Sequence, residues 1–246
     1  MRYTNELADL AVTMNVADQQ RKWDEYDAYI FDVDDTLIHC DDAVHYFAFC
    51  TGLTALAGRS VALDGVKVHG STDTAIMRDA LTLAGIPEST WKSQIGECCN
   101  CMRQYVVEHS GDFNIRVLPG VTKAIEYLLS RGAVVGLGTG NLEAIARAKL
   151  YQCGLLDYFQ FGGFSDHDTV ERPRVIEKAL RDARTLVGPH AAICVIGDTP
   201  ADILAARAND LDAMAVASGP YSLEQLQTFQ PRWCFRSLEV LPFSSF

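Results

Sequence analysis

Phe31-Asp32-Val33-Asp34 sets two carboxylates two residues apart at the end of the apolar run Tyr29-Ile30-Phe31. Asp is disfavoured in strands, so a turn or a helix cap accounts for one of them but hardly both. Three more polar groups follow apolar runs in the same way: Gly138-Thr139-Gly140-Asn141, Gly162-Gly163 and Gly197-Asp198-Thr199-Pro200. Singly, Thr139 and Asn141 could end a strand and cap a helix, and Asp198-Thr199-Pro200 could be a helix start with Pro near its first position. Together they gather acidic, hydroxyl and small residues at strand ends, a combination suited to a polar site.

The elements that position them alternate. The pattern predicts helices over about 121–131, 142–153 and 173–186 and from about Ala201. It predicts strands at Ala133-Val134-Val135-Gly136-Leu137, Tyr158-Phe159-Gln160-Phe161, 192–196 and 213–216. Apolar strands alternating with helices indicate a parallel sheet covered on both faces, and such sheets bind ligands at the carboxyl ends of their strands. Residues 43–110 read as mostly helical, with breaks near Gly65, Gly70 and Gly85-Ile86-Pro87. Gly111-Asp112 and Leu118-Pro119-Gly120 mark the return to the sheet. The expected architecture is α/β: a Rossmann-like core of residues 1–40 and 115–246 with a helical insert, 41–114. Leu7, Leu10, Ala11 and Met14 predict an amphipathic helix over about 3–21, packed on its own domain or forming a dimer contact.

The chain has 246 residues, 48% of them hydrophobic, and a formal net charge of -11. That charge disfavours nucleic acid and anionic membranes as partners. No apolar run approaches the roughly 20 residues of a membrane span, and no basic start with an apolar run marks a leader, so the expected location is the cytoplasm. Cys98, Cys99 and Cys101 contain a lone C-x-x-C without the second half of a zinc site, and the eight cysteines are expected to be reduced and structural.

Phe31-Asp32-Val33-Asp34-Asp35-Thr36-Leu37 resembles the D-x-D-x-T signature of the haloacid dehalogenase superfamily. Thr139 resembles that family's second motif, Arg172-Pro173 its third and Gly197-Asp198-Thr199-Pro200-Ala201-Asp202 its fourth, over residues 29–218. The stretch from Leu118-Pro119-Gly120 to Phe161-Gly162-Gly163-Phe164 is similar to the phosphoglycolate-phosphatase-like branch, which inserts a helical cap where residues 43–110 stand here. Two departures stand out. Asp35 occupies a position often held by Gly, and Arg172 replaces the usual Lys, keeping the charge but binding phosphate through a rigid fork.

The resemblance implies an Mg²⁺-dependent phosphatase acting on a small phosphorylated metabolite through an aspartyl-phosphate. Asp32 would be the nucleophile and Asp34 the acid and base. Arg172, rather than Arg174, would be the cation. Thr139, Gly140 and Asn141 would hold the phosphate. Asp32, Asp198, the Asp34 carbonyl and Asp202 are the implied metal ligands. Several carboxylates around a dianion need such a cation, because two unit charges about 4 Å apart repel by about 4 kcal/mol at an effective dielectric near 20. His69, Ser71, Thr72 and Arg78 are candidate substrate contacts from the insert. Asp34 itself favours phosphate esters over haloacids, since a departing halide needs no proton.

Two other readings use the same residues. A phosphomutase of the β-phosphoglucomutase type would need a cationic cap loop, but the matching stretch Lys67-Val68-His69-Gly70-Ser71-Thr72-Asp73 carries Asp73 near that point. A non-enzymatic regulator should have lost a key carboxylate, yet Asp32, Asp34 and Asp198 are all present. The expected assembly is a monomer or homodimer.

Overall fold

The structure is a computed structural model and describes residues 21–243. The helix expected over 3–21 lies outside the described residues. The central feature is a six-stranded, wholly parallel sheet. Its strands are β1 (Ala28–Phe31), β4 (Val134–Leu142), β5 (Phe161–Ser165), β6 (Ile193–Gly197), β7 (Asp212–Val216) and β8 (Trp233–Phe235), in the order β5-β4-β1-β6-β7-β8. A separate antiparallel pair, β2 (Ile38–Cys40) and β3 (Ile115–Val117), brackets the insert. Among the described residues no helix is long and apolar enough to cross a membrane.

β1 is buried along its whole length, as expected for a strand covered on both faces. Phe31 pairs with Leu137 on one side and Ile196 on the other. The residues that follow these three are therefore Asp32, Gly138 and Gly197, side by side at the carboxyl edge. The chain leaves β1 for β4 on one side and later β6 on the other, so β1 lies at the switch point where open sheets form a ligand crevice.

Four further helices continue the alternation: α4 (Val121–Ser130), α5 (Glu143–Gln152), α6 (Arg172–Val187) and α7 (Pro200–Ala208). A fifth, α8 (Leu223–Gln227), precedes β8. One strand was misplaced by the sequence pattern. Leu156–Tyr158 is a single 3₁₀ turn, and the strand starts at Phe161. Gly162 and Gly163 therefore lie inside β5 rather than closing it. Close packing explains the glycine: a Cβ on Gly163 would come within 1.9 Å of the Val175 carbonyl oxygen of α6.

The insert folds as α1 (Val44–Ala57), α2 (Asp73–Leu83) and α3 (Glu88–Glu108). Its hydrophobic cluster joins Phe49 and Leu53, Met77 and Leu81, and Cys98, Cys99 and Met102. Leu142 and Ile145, from β4 and α5, complete that cluster and seat the insert on the sheet. Gly52 lets α1 meet α3, since a Cβ there would stand 2.7 Å from the Cys98 carbonyl oxygen. All eight cysteines are free. Burial raises the Cys98 and Cys194 thiols, so both stay protonated and inert.

Candidate active site

The chain turns sharply after β1. The Asp32 N–H donates to the Ile196 carbonyl (2.9 Å), which continues the sheet by one residue. The Asp35 N–H then donates to the Ile38 carbonyl at 2.7 Å, and Asp35 sits at φ 56°. This is the left-handed region that favours Gly, so an Asp there adopts a conformation a glycine would hold without strain. The turn separates the two carboxylates that an ideal strand would aim alike. It also brings Asp35 to the cavity wall, where its Oδ1 lies 2.6 Å from His39 Nδ1.

Asp32 is buried and faces Arg172, whose Nη2 is 2.7 Å from Asp32 Oδ1 and 2.5 Å from Asp202 Oδ1. Arg172 is the first residue of α6, a helix end that disfavours cations. Two buried carboxylates offset that cost, and its pKa is raised: burial opposes the charge, and Asp202 and Asp32 more than answer it. Its Nε is buried with no hydrogen-bond partner among the described residues. Arg174, two residues on, is exposed and pairs with Glu177 at 2.9 Å.

Asp198 follows β6 and is buried, accepting from Thr36 Oγ1 at 3.1 Å. Asp202 sits one turn into α7, where its Oδ2 accepts from the Thr199 N–H (3.1 Å) and hydroxyl (2.7 Å) in a capping box. Oxygens of Asp32, Asp198 and Asp202 lie within 4.8 Å of one another. Burial, then repulsion from Asp32 and Asp202, pushes Asp198 up to about 9. Burial also raises Asp32 to about 6, against the opposing pull of Arg172. One guanidinium does not balance three buried carboxylates. The donor set is hard oxygen, which fits a divalent cation such as Mg²⁺.

Asp34 belongs to a different network. Lys149 Nζ, on α5, lies 2.8 Å from each Asp34 oxygen, 2.9 Å from Asn141 Oδ1 and 3.1 Å from His45 Nδ1. Asn141 Nδ2 donates to Asp34 Oδ2 at 2.7 Å. Burial raises the Asp34 pKa, but Lys149 and His45 outweigh it and hold the group at about 2. His45 Nε2 in turn lies 3.2 Å from Asp73 Oδ1, and Asp73 Oδ2 accepts from the Leu142 N–H at 2.7 Å. His45 and Asp73 come from the insert; Lys149 and Leu142 come from the core.

Thr139 is buried, and its oxygen accepts from the Asn141 N–H (3.3 Å) and Nδ2 (2.9 Å). Gly140 is small for a reason: a Cβ there would stand 2.3 Å from the Ser71 carbonyl oxygen and 2.9 Å from Arg172 Nη1. A cavity of about 280 Å³ is lined by Asp32, Asp34, Thr139, Gly140, Asn141, Arg172 and Asp198 from the core, and by His69 and Ser71 from the insert. Thr72 is not in that lining. Its hydroxyl caps α2, accepting from the Ala75 N–H at 3.1 Å, and donates to the Val170 carbonyl. Arg78 is tied to Asp79 and Glu171 and lies outside the cavity too.

Sequence reasoning missed Lys149 and His45, and read Asp73 only as an acidic residue in the cap loop. The available signal was Lys149 itself, a charge on the stripe that Ile145, Ala146 and Leu150 bury.

The model of the haloacid dehalogenase-like hydrolases matches residues 26–210, and the chain belongs to that family. A phosphoglycolate phosphatase of Rhodobacter capsulatus is 28% identical over 219 residues, 87% of this chain and 94% of that protein. A probable phosphatase of Dickeya dadantii, IndB, is 28% identical over 116 residues, 47% of this chain. That match spans 50% of IndB. Among solved structures, a predicted phosphatase from Clostridium acetobutylicum superposes with a TM-score of 0.63 at 19% identity, covering 87% of this chain and 95% of the other. Family and relatives agree on an enzyme of the phosphatase kind.

Proposed function

We propose that the protein is an Mg²⁺-dependent phosphatase that hydrolyses a small phosphate monoester, phosphoglycolate-like or another phosphorylated metabolite, through an aspartyl-phosphate on Asp32. The observation that carries this reading is the Asp32 carboxylate at the cavity wall, 2.7 Å from the buried Arg172 guanidinium and within 4.8 Å of the Asp198 carboxylate. Asp32 and Asp198, with the Asp34 carbonyl, would hold the metal. Asp202 backs them, since both its oxygens are already bonded. The cation supplies charge neutralisation for the phosphoryl group when bound.

An Asp32 oxygen attacks phosphorus, and the ester oxygen leaves with a proton from Asp34. Water, giving its proton to Asp34, then attacks the phosphoaspartate phosphorus. This releases phosphate and regenerates the Asp32 carboxylate. Asp34 is ionised in the unliganded site; a phosphate dianion arriving beside it raises its proton affinity. Arg172 answers the charge on the transferring group and has a free Nε to offer an oxygen. The Thr139 hydroxyl accepts two bonds and has its proton left for another. The inserted helices act as a cap over the Rossmann-like core, with His69 and Ser71 at the substrate.

The test is phosphate release from an aryl phosphate with and without Mg²⁺. Asp32→Asn should abolish turnover while leaving thermal unfolding in place. Substantial turnover by a clean Asp32→Asn preparation, or full activity after exhaustive chelation, would refute the mechanism.

A further inference from the structure

The cavity has two chemically different walls. The core wall carries the carboxylates, Thr139 and Arg172. The wall made by the insert presents Tyr46, Phe49, Leu63, Val68 and Ile76. Among the described lining residues Arg172 is the one Arg or Lys; it pairs with Asp32 and Asp202, and the phosphatase reading gives its remaining Nε to the phosphoryl group. The neighbouring cations of the insert, Lys67 and Arg78, do not line the space. His45 Nδ1 meets Lys149 Nζ and the ring stacks on Phe49, with centroids 4.9 Å apart, while its buried Nε2 lies 3.2 Å from Asp73 Oδ1 without a hydrogen-bond partner among the described residues. His69 also lines the space but is exposed to solvent, where a contact with a charged group is worth little. The charged group this wall does contribute is the carboxylate of Asp73.

Resting on the phosphatase reading, we infer that the leaving group is uncharged and carries apolar or aromatic surface. The phosphoryl group occupies the core wall, so whatever it esterifies must lie against the insert. A carboxylate or second phosphate there would meet no Arg or Lys among the described lining residues besides Arg172 and would face Asp73 and Asp34. An anion held beside two carboxylates without a cationic partner is disfavoured, the more so as it loses water. An alkyl or aryl group gains by covering the exposed Tyr46 and Val68 and the half-buried Leu63. The volume, about 280 Å³, is at the small end for ligand pockets, so the group is compact. Within the range proposed above, this favours a neutral phosphorylated metabolite over a carboxylated ester of the phosphoglycolate type and over a sugar bisphosphate.

The experiment compares kcat/KM, with Mg²⁺, within two pairs that differ by one carboxylate: ethyl phosphate against phosphoglycolate, and phenyl phosphate against 4-carboxyphenyl phosphate. The neutral member of each pair should be preferred by about tenfold or more. Val68→Arg adds a cation to the insert wall at a residue 39% exposed, a place that tolerates it. That variant should move both ratios toward the carboxylated members. Wild-type turnover of the carboxylated esters equal to or faster than the neutral ones overturns the inference and leaves the phosphatase reading standing. Ratios unmoved by Val68→Arg overturn its electrostatic basis. No turnover of any of the four esters overturns the phosphatase reading and this inference with it.

Discussion

Lys149 Nζ stands 2.8 Å from both carboxylate oxygens of Asp34 and is itself fully buried. A bidentate ion pair fixes where the proposed acid points. Lys149→Met should therefore slow esters of poor leaving groups far more than esters of good ones. General acid catalysis contributes roughly 10² to 10⁴ in rate, so ethyl phosphate should lose about 10², while 4-nitrophenyl phosphate, whose phenolate leaves unaided, should change little. A merely structural role for Lys149 would depress both alike. Comparing kcat on the two esters decides between them.

Arg172 joins Asp32 to Asp202, and removing it leaves three buried carboxylates without a protein cation. Arg172→Ala should cost about 10² to 10³ in kcat and, as the loss of one partner in a buried pair, about 3 to 5 kcal/mol of stability. Arg174→Ala should be nearly silent in both measurements, because its pair with Glu177 is exposed. The opposite ranking of the two variants would assign the cation to Arg174.

The carboxylate cluster makes metal-free stability pH-dependent. Asp198 is raised from 3.8 to about 9 and Asp32 to about 6 in the folded chain. Their ionisation is disfavoured by the fold, so they burden it little below about pH 4 and increasingly as pH climbs toward 9. Asp34, lowered to about 2, works the other way, but its contribution is lost only as pH falls from about 4 toward 2. In chelator the melting temperature should therefore fall between about pH 5 and about pH 9. Mg²⁺ should lift it most at the alkaline end, where protons no longer compete for Asp198. A thermal shift by Mg²⁺ that is equal at both ends would contradict this account.

Gly140 is pressed between the Ser71 carbonyl and the Arg172 guanidinium. Gly140→Ala should push the Ser71 loop off the site. KM should rise several-fold, with a smaller change in kcat, measurable by steady-state kinetics. An unchanged KM would mean that the loop yields freely.

Most of the sheet was legible because parallel strands announce themselves as short apolar runs, and the polar residues after Phe31, Leu137 and Ile196 marked the edge they share. The strand near Phe161 was not, because the Tyr158–Phe161 run supplies a packed turn, while the true strand contains two glycines that only the approach of α6 explains. The motif carboxylates and Arg172 were readable from spacing and resemblance. The His45–Asp73 link was not, since it joins residues of different elements through a fold that no local pattern encodes. Thr72 shows the converse: a polar residue beside Ser71 looked like a substrate contact, and its hydroxyl is consumed in starting α2.

For the inserted helices to swing away from the sheet, Asp73 must part from the Leu142 N–H and His45 from Lys149. Both contacts are sheltered from bulk electrolyte, so added salt would loosen them little. On the proposed mechanism, inorganic phosphate would depart only as often as that latch lets go. With an ester whose bond breaks readily, the latch becomes the clock of the whole cycle, and turnover would track solvent viscosity rather than leaving-group acidity.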